Sequence, residues 1–449
     1  MDYDEAVRYL LSYADFERSG RFADRPDVAP VLALLERLGD PHLGRLTVHV
    51  TGSKGKGSVA AMLAAILRAA GLRVGLYTSP HLDSYCERVQ VDGEPIGEEE
   101  FARLTALLRP AAEAVQGSLG ERQLVTFDLL TALGFLAFRE AGVQAQMVEV
   151  GLGGRVDSTN VFPTKALSII TPISLEHTAI LGDTVEAIAR EKAAIVRPGG
   201  AVVLAPQRYA GAAAVVRQAA AAASVPLVDV AALYTWRRLE HDLAGQRFRL
   251  ETEGWSLELW MPLLGAHQLA NAATAVAAAR ALADQGLLSL PDEALRRGLA
   301  AVRWPGRLEV LSARPLAVAD GAHNRDSARS LREALTDYLG ARQALFVVGT
   351  LADKDIGGIA QELAPIARGV IAVPFDHPRA MEASRIVGAF AVQGVPAQEA
   401  SDVEDALRRA LALKGESGLI CLTGSLAFVA EGRRRWRETV ARPPAGPQR

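Results

Sequence analysis

The sequence predicts an α/β fold, with a parallel-sheet N-terminal domain followed by a smaller α/β C-terminal domain. Three observations predict it. Short apolar, β-branched runs alternate with helical patterns through most of the 449 residues, as in sheets covered on both faces. A glycine-rich turn, Thr51-Gly52-Ser53-Lys54-Gly55-Lys56-Gly57-Ser58, joins the run Val48-His49-Val50 to the helical pattern Val59–Leu67. A Pro305-Gly306 break then precedes a fresh α/β alternation, which places a boundary near residue 303.

Taken in order, residues 3–40 read as two amphipathic helices separated at Asp24-Arg25-Pro26. The strand–loop–helix follows, then a strand over 73–78 that ends at Ser79-Pro80-His81, and a hairpin at 89–95 turning on Asp92-Gly93. Helices are expected over 98–116 and 126–140, strands over 145–150 and 167–170, and a helix over 184–196. Strands at 201–204 and 226–230 continue the alternation, and antiparallel strands are expected between Tyr234 and Met261. An Ala-rich helix covers 265–282 and a shorter one 292–300. Beyond the break, strands are expected at 316–319, 344–349, 369–373 and 418–422. The domains are thus residues 1–302 and 303–441, with 442–449 (Pro-Pro-Ala-Gly-Pro) expected to be a disordered tail.

Composition excludes several function classes. A net charge of −3 gives no electrostatic footprint for nucleic acid or a membrane surface. Two cysteines, Cys86 and Cys421, support neither a disulfide framework nor a cysteine-type zinc site. With no apolar run near ~18 residues and no signal-peptide pattern, a cytoplasmic protein is expected. Only six Lys stand against 43 Arg, and only three Asn occur. A chain that uses Arg wherever a surface cation suffices makes each remaining Lys informative.

The glycine turn suits phosphate: backbone N–H groups close around the anion at the positive end of a helix, and Lys56 adds a cation. It departs from the strict G-x-x-x-x-G-K-[ST] pattern, with Val50 in place of the first Gly and Gly57 in place of Ser/Thr. Ser79, Glu149 and His177 each sit just past or at a predicted strand end, so a Ser, a Glu and a His converge where ligands bind such sheets. Glu149 ends an apolar strand before Gly151-Leu152-Gly153-Gly154, and His177 suits either a metal ligand or an orienting donor. Lys192 falls on the apolar face of its helix, where it either snorkels or serves as a desolvated amine. In the second half, Asn271 lies among alanines, Arg307 at the break, and Asp320-Gly321-Ala322-His323-Asn324 at a strand end. The Asp353-Lys354-Asp355 run holds a similar position.

Jointly, Gly52–Ser58, Thr78-Ser79-Pro80-His81, Glu149–Gly154, His177 with Leu181-Gly182, Glu191-Lys192-Ala193, Trp304–Glu309 and Asp320–Asn324 resemble folylpolyglutamate synthase/dihydrofolate synthase, of the Mur ligase superfamily. The match runs in order over roughly residues 48–355. The resemblance implies a P-loop NTPase-like ATPase domain and a smaller Rossmann-like C-terminal glutamate-ligase domain. It implies an ATP-dependent amide ligase that makes an acyl phosphate and displaces it with L-glutamate, on dihydropteroate or a reduced folate. By motif, Gly52, Ser53, Lys54, Gly55, Lys56, Gly57 and Ser58 would hold phosphates, with Ser79, Glu149 and His177 serving two Mg²⁺ ions. A monovalent cation is a further expectation. Lys192 matches a carbamylated lysine; Asn271, Arg307 and Asp320 match nucleotide contacts; His323 lies near the active site; and Lys56, Lys192 and His323 are the implied catalytic set. Thr126, Phe127 and Asp128 lie where that family places part of its pterin pocket. A monomer acting on small molecules is expected. Three departures stand out: Ser53-Lys54 where Thr-Asn is common, Asp128 where Glu is usual, and Arg325 where Pro is usual. The rivals are another Mur-type ligase, for which some 45 residues before the first strand are too few, a non-catalytic nucleotide switch, and a nucleic-acid ATPase, which the acidic balance disfavours.

Overall fold

The computed structural model describes residues 1–19, 27–120, 122–340, 343–413 and 418–441. The expected break at 24–26 and the tail at 442–449 lie outside the described residues. The chain divides into two compact units. The first comprises Met1–Leu239, Arg247–Pro262 and Gln268–Val302; the second comprises Glu240–Gln246, Leu263–His267 and the chain from Arg303.

The first unit is built on an eight-stranded sheet: β1 (Leu46–Thr51), β2 (Val74–Tyr77), β3 (Val89–Val91), β4 (Glu94–Pro95), β5 (Ala145–Glu149), β6 (Leu167–Ile170), β7 (Ala201–Leu204) and β8 (Leu227–Asp229). Their order is β4-β3-β2-β5-β1-β6-β7-β8. All neighbours run parallel except β2–β3 and β3–β4, so the expected hairpin forms the antiparallel edge. The run Leu46–Thr51 enters as the central strand because it is buried from Thr47 onward, as a strand covered on both faces must be. β1 pairs β5 with Val50 opposite Glu149, and β6 with Thr51 opposite Ile170, so three strand ends converge. Helices Tyr3–Leu10, Ala29–Arg37, Glu98–Gln116 and Thr126–Glu140 share one core with Tyr77, Val89 and Val148. Helices Val185–Ala193 and Ala210–Ala222 share another with Val150, Ile170, Val202 and Leu204. A three-stranded sheet, β9 (Thr235–His241), β10 (Gln246–Thr252) and β11 (Trp255–Met261), has the order β11-β10-β9. It is followed by the helices Ala266–Asp284 and Asp292–Ala300.

The second unit carries six strands: β12 (Glu309–Ala313), β13 (Leu316–Asp320), β14 (Ala344–Val348), β15 (Ala367–Ala372), β16 (Ala397–Glu399) and β17 (Leu419–Thr423). The order is β12-β13-β17-β14-β15-β16, antiparallel only at β12–β13. Alternate residues of β14 enter different cores, Phe346 and Val348 one, Leu345 and Val347 the other, which is the mark of a sheet covered on both faces. The edge strands β12 and β16 were not among the expected strands.

Candidate active site

In the first unit the glycine turn leaves β1 sharply. Gly52 has φ 147°, and a Cβ there would lie 1.9 Å from Thr171 Oγ1, so no other residue fits. The N–H groups of Ser53 and Lys54 donate to Pro172 O at 2.9 and 3.1 Å, and Ser53 Oγ donates to Ser174 O. The first half of the turn is thus tied to the segment after β6. Gly55, at φ 79°, opens the helix Lys56–Ala69, whose first-turn N–H groups have no partner within the helix. That end suits an anion.

Lys56 Nζ lies 3.9 Å from Glu149 Oε1, and Ser79 N–H donates to Glu149 Oε2 at 3.3 Å. The ends of β2 and β5 and the turn after β1 therefore meet on one carboxylate, 4% exposed. Lys192 Nζ donates to Gly52 O at 3.0 Å and to Glu176 Oε1 at 2.9 Å. Burial pushes the Lys192 ammonium down from its ordinary value, while Glu176 holds it up. Burial alone would raise the Glu176 carboxyl, but Lys192, then Lys56, Lys54 and His177, bring it down to about 2. Glu176 is the residue that sequence reasoning left out of the site; its one signal was its place beside His177. His177 itself is exposed, with φ 46°, and opens the short helix Thr178–Leu181. Its charge acts on Glu176.

A further buried chain runs beneath. Lys165 Nζ lies 2.8 Å from His49 Nδ1 and His49 Nε2 lies 2.8 Å from Thr159 Oγ1; Asp157 Oδ1 accepts from Thr159 N, and Asp157 Oδ2 from Leu152 N. Burial, then Lys165 and Arg197, press the His49 imidazole well below its usual value, and burial, then Arg197, does the same to Lys165.

Asn271 donates to Gln268 Oε1 at 2.9 Å, and its Oδ1 would lie 2.5 Å from a Cβ on Gly55. The structure therefore packs this amide against the turn. Two of the three expected pterin-pocket residues are committed to the fold. Thr126 Oγ1 donates to Leu10 O and Tyr13 O, and Asp128, fully buried, accepts from Val125 N and Ser158 Oγ. Only Phe127 keeps surface, with its ring against Gly151.

In the second unit Asp320, at the end of β13, accepts from Leu308 N at 2.8 Å and Ala322 N at 2.9 Å. Desolvation raises its carboxyl against the pull of Arg307 and these two N–H groups. Burial and Arg307 press His267 down to about 4. His323 Nδ1 lies 2.8 Å from Gly321 O, and since a carbonyl only accepts, Nδ1 carries the hydrogen there. Asn324 caps the helix Arg325–Leu339 by accepting from Ser327 N, so this Asn is accounted for as a cap. Lys354 and Arg379 both pair with Asp353, at 3.0 and 3.1 Å.

Residues 102–279 match the Mur ligase middle domain and 306–426 the Mur ligase glutamate ligase domain. The chain is therefore a Mur-type ligase, an ATP-dependent amide-forming enzyme. It is 37% identical to the folylpolyglutamate synthase of Lacticaseibacillus casei over 85% of this chain and 87% of that one. It is 35% identical to the dihydrofolate synthase/folylpolyglutamate synthase of Bacillus subtilis over 92% and 96%. The folylpolyglutamate synthase of Mycobacterium tuberculosis complexed with ADP superposes with a TM-score of 0.89 at 30% identity, over 99% of both chains. The chain belongs to the folylpolyglutamate synthase/dihydrofolate synthase family. It also spans about half the length of two haloarchaeal relatives whose names add dihydropteroate synthase. Among the described residues no helix is long and apolar enough to cross a membrane.

Proposed function

We propose that the chain uses ATP to add L-glutamate to the carboxylate of a folate-type substrate, forming dihydrofolate from dihydropteroate and extending reduced folates. The observation that carries this reading is the meeting of Lys56, Ser79 and Glu149 beside the anion-binding helix end. A substrate carboxylate oxygen attacks the γ-phosphorus, the bond to the ADP oxygen breaks, and an acyl phosphate results. The amine of glutamate then attacks the acyl carbon, the C–O bond breaks and phosphate leaves, while the amine gives up a proton.

Gly52–Ser58 cradle the triphosphate in this reading, and Lys56 moves from Glu149 toward the outer phosphates. Among the described residues no three His, Cys, Asp or Glu side chains form a metal cage. That fits Mg²⁺, which binds through one or two oxygen side chains and the phosphates themselves. Ser79 and Glu149 are such donors, already adjacent, with His177 as a third candidate. Bound there, the ion would neutralise charge on the phosphoryl oxygens. Lys192 keeps the turn fixed through Gly52 O, and its lowered ammonium suits carbamylation by CO₂. Arg307, Asp320 and Asn271 are assigned to the nucleotide, and Phe127 to the pterin. His323, with hydrogen held at Nδ1, is assigned to the step in which the amine attacks. In this reading residues 1–302 form the ATP domain and 303–441 the glutamate domain of a cytoplasmic monomer, with a monovalent cation as a further ligand.

The test is ADP release with MgATP and L-glutamate, comparing dihydropteroate with tetrahydrofolate. Glutamate-dependent release is expected with both; release with neither overturns the reading.

A further inference from the structure

The first unit holds a cavity of about 370 Å³, walled by residues 42–47 and 162–164. β1 begins here at Leu46 and ends at Thr51, before the phosphate turn. The strand separates the two places by roughly 17 Å, at ~3.3 Å per residue. Arg45, on the cavity wall, is half-buried. Its Nη1 is committed to the fold, donating to Pro41 O at 2.6 Å and to Gln146 Oε1 at 3.2 Å. Its Nε and Nη2 have no partner among the described residues. Those two groups form the edge of a guanidinium that takes a carboxylate two-pronged. The charge acting on Arg45 is that of another cation, Arg139, whose Nη1 is spent on Leu38 O and Gly39 O. Asp40 is exposed, and its charge acts on His42 rather than on Arg45. Arg88 and Arg433, both buried, each meet a glutamate; Arg45 meets none among the described residues. A half-buried cation beside a second cation is a charge that an anion would stabilise.

The rest of the wall is largely apolar. The Phe162 ring is fixed between Phe135 at 5.6 Å, His49 at 5.8 Å and His42 at 5.9 Å, and Leu43 is 42% exposed. His42 is 3% exposed, and its Nδ1 has no hydrogen-bond partner, an uncommon state for a buried polar atom. One cation on an apolar wall is the lining of a small-molecule site, and the volume suits a single ring. We propose that this cavity binds a small aromatic monocarboxylate, its carboxylate on the Nε–Nη2 edge of Arg45 and its ring against Phe162 and Leu43. The site is separate from the ATP site and does not depend on the function proposed above.

The test is a ligand-observed NMR titration of the full chain with benzoate, and with benzamide as a probe of the same shape without the charge. Benzoate should bind the parent saturably, and benzamide on the order of tenfold more weakly, the difference a charge-assisted hydrogen-bond pair makes. Arg45→Met should weaken benzoate by a similar factor. Leu43→Asp leaves the bonds of Arg45 to Pro41 and Gln146 in place and sets a carboxylate at the cavity, so it should weaken benzoate too, even if Arg45→Met fails to fold. Lys56→Met, at the far end of β1, should bind benzoate as the parent does. Equal binding of the two probes, undiminished binding to Arg45→Met or Leu43→Asp, loss of binding in Lys56→Met, or no saturable binding below about 10 mM overturns the proposal.

Discussion

Lys192 and Lys165 are two of the six lysines in the chain, and both are buried in the first unit, 2 and 6% exposed. Their settings are opposite. Lys192 has a carboxylate, Glu176, at 2.9 Å and a backbone carbonyl, Gly52 O, at 3.0 Å. Lys165 has an imidazole nitrogen at 2.8 Å and the positive Arg197 nearby, and among the described residues no carboxylate pairs with it. A buried ammonium needs a counter-charge, so burial keeps Lys192 partly compensated and drives Lys165 toward the neutral amine. If Lys165 gives its hydrogen to His49 Nδ1, then His49 Nε2–H donates to Thr159, and the whole chain of donors points toward Asp157. Charge near the phosphate turn and hydrogen-bond order beneath it are thus supplied by the same residue type.

The contrast can be broken in four ways. Lys192→Ala removes the tether on Gly52 O and strands Glu176, so kcat should fall about 10²- to 10³-fold, the loss expected for a group fixing phosphate-site electrostatics. Steady-state ADP release measures it, and a fall below tenfold would mean the turn holds its shape without Lys192. Glu149→Gln should raise the Mg²⁺ concentration for half-maximal activity about tenfold, with kcat at saturating Mg²⁺ less affected. An unchanged Mg²⁺ titration would remove Glu149 from the ion.

Lys165→Met should leave activity within about twofold but change the pH dependence of stability. Lys165 has a folded-state value below its unfolded one, so the unfolded chain binds the extra proton between the two values. Through that window, up to the ordinary lysine range, parent stability rises with pH by at most about 1.4 kcal/mol per unit from this group. The variant should lose that slope in denaturant unfolding between pH 7 and 9; an unchanged slope would mean that Lys165 is charged when folded. Glu176 works in the other direction. Its carboxyl falls to about 2 against an ordinary 4.5, so its contribution is complete above about 4.5 and lost as pH falls toward 2. Glu176→Gln should flatten acid unfolding in that window, the smallest of the four pH and activity effects, on top of a uniform loss of stability from leaving Lys192 without its carboxylate.

Much of this was legible in the sequence. The helices 98–116, 126–140 and 292–300 and the strand 167–170 appear at their expected bounds, because long periodic runs and a short apolar run between turns leave little choice. Lysine scarcity pointed to Lys56 and Lys192, and strand ends pointed to Ser79 and Glu149. The misses have physical causes. The edge strands β12 and β16 are short and half-exposed, so their pattern is weak. Glu176 meets Lys192 across sixteen positions and the turn between two helices, which no local periodicity encodes. Lys165 has no local motif, because its partner, His49, lies 116 positions away. Thr126 Oγ1 bonds Leu10 O and Tyr13 O, while Asp128 and Asn324 bond the backbone at helix starts, structural uses of Thr, Asp and Asn that the local sequence does not show.

The central claim is that the turn, Lys56, Ser79, Glu149 and Lys192 serve to activate a carboxylate as an acyl phosphate. It is tested most directly by a substrate whose reacting carboxylate carries ¹⁸O. The account predicts that one labelled oxygen leaves in inorganic phosphate for each glutamate added. Phosphate free of label, alongside glutamylated product, would contradict it.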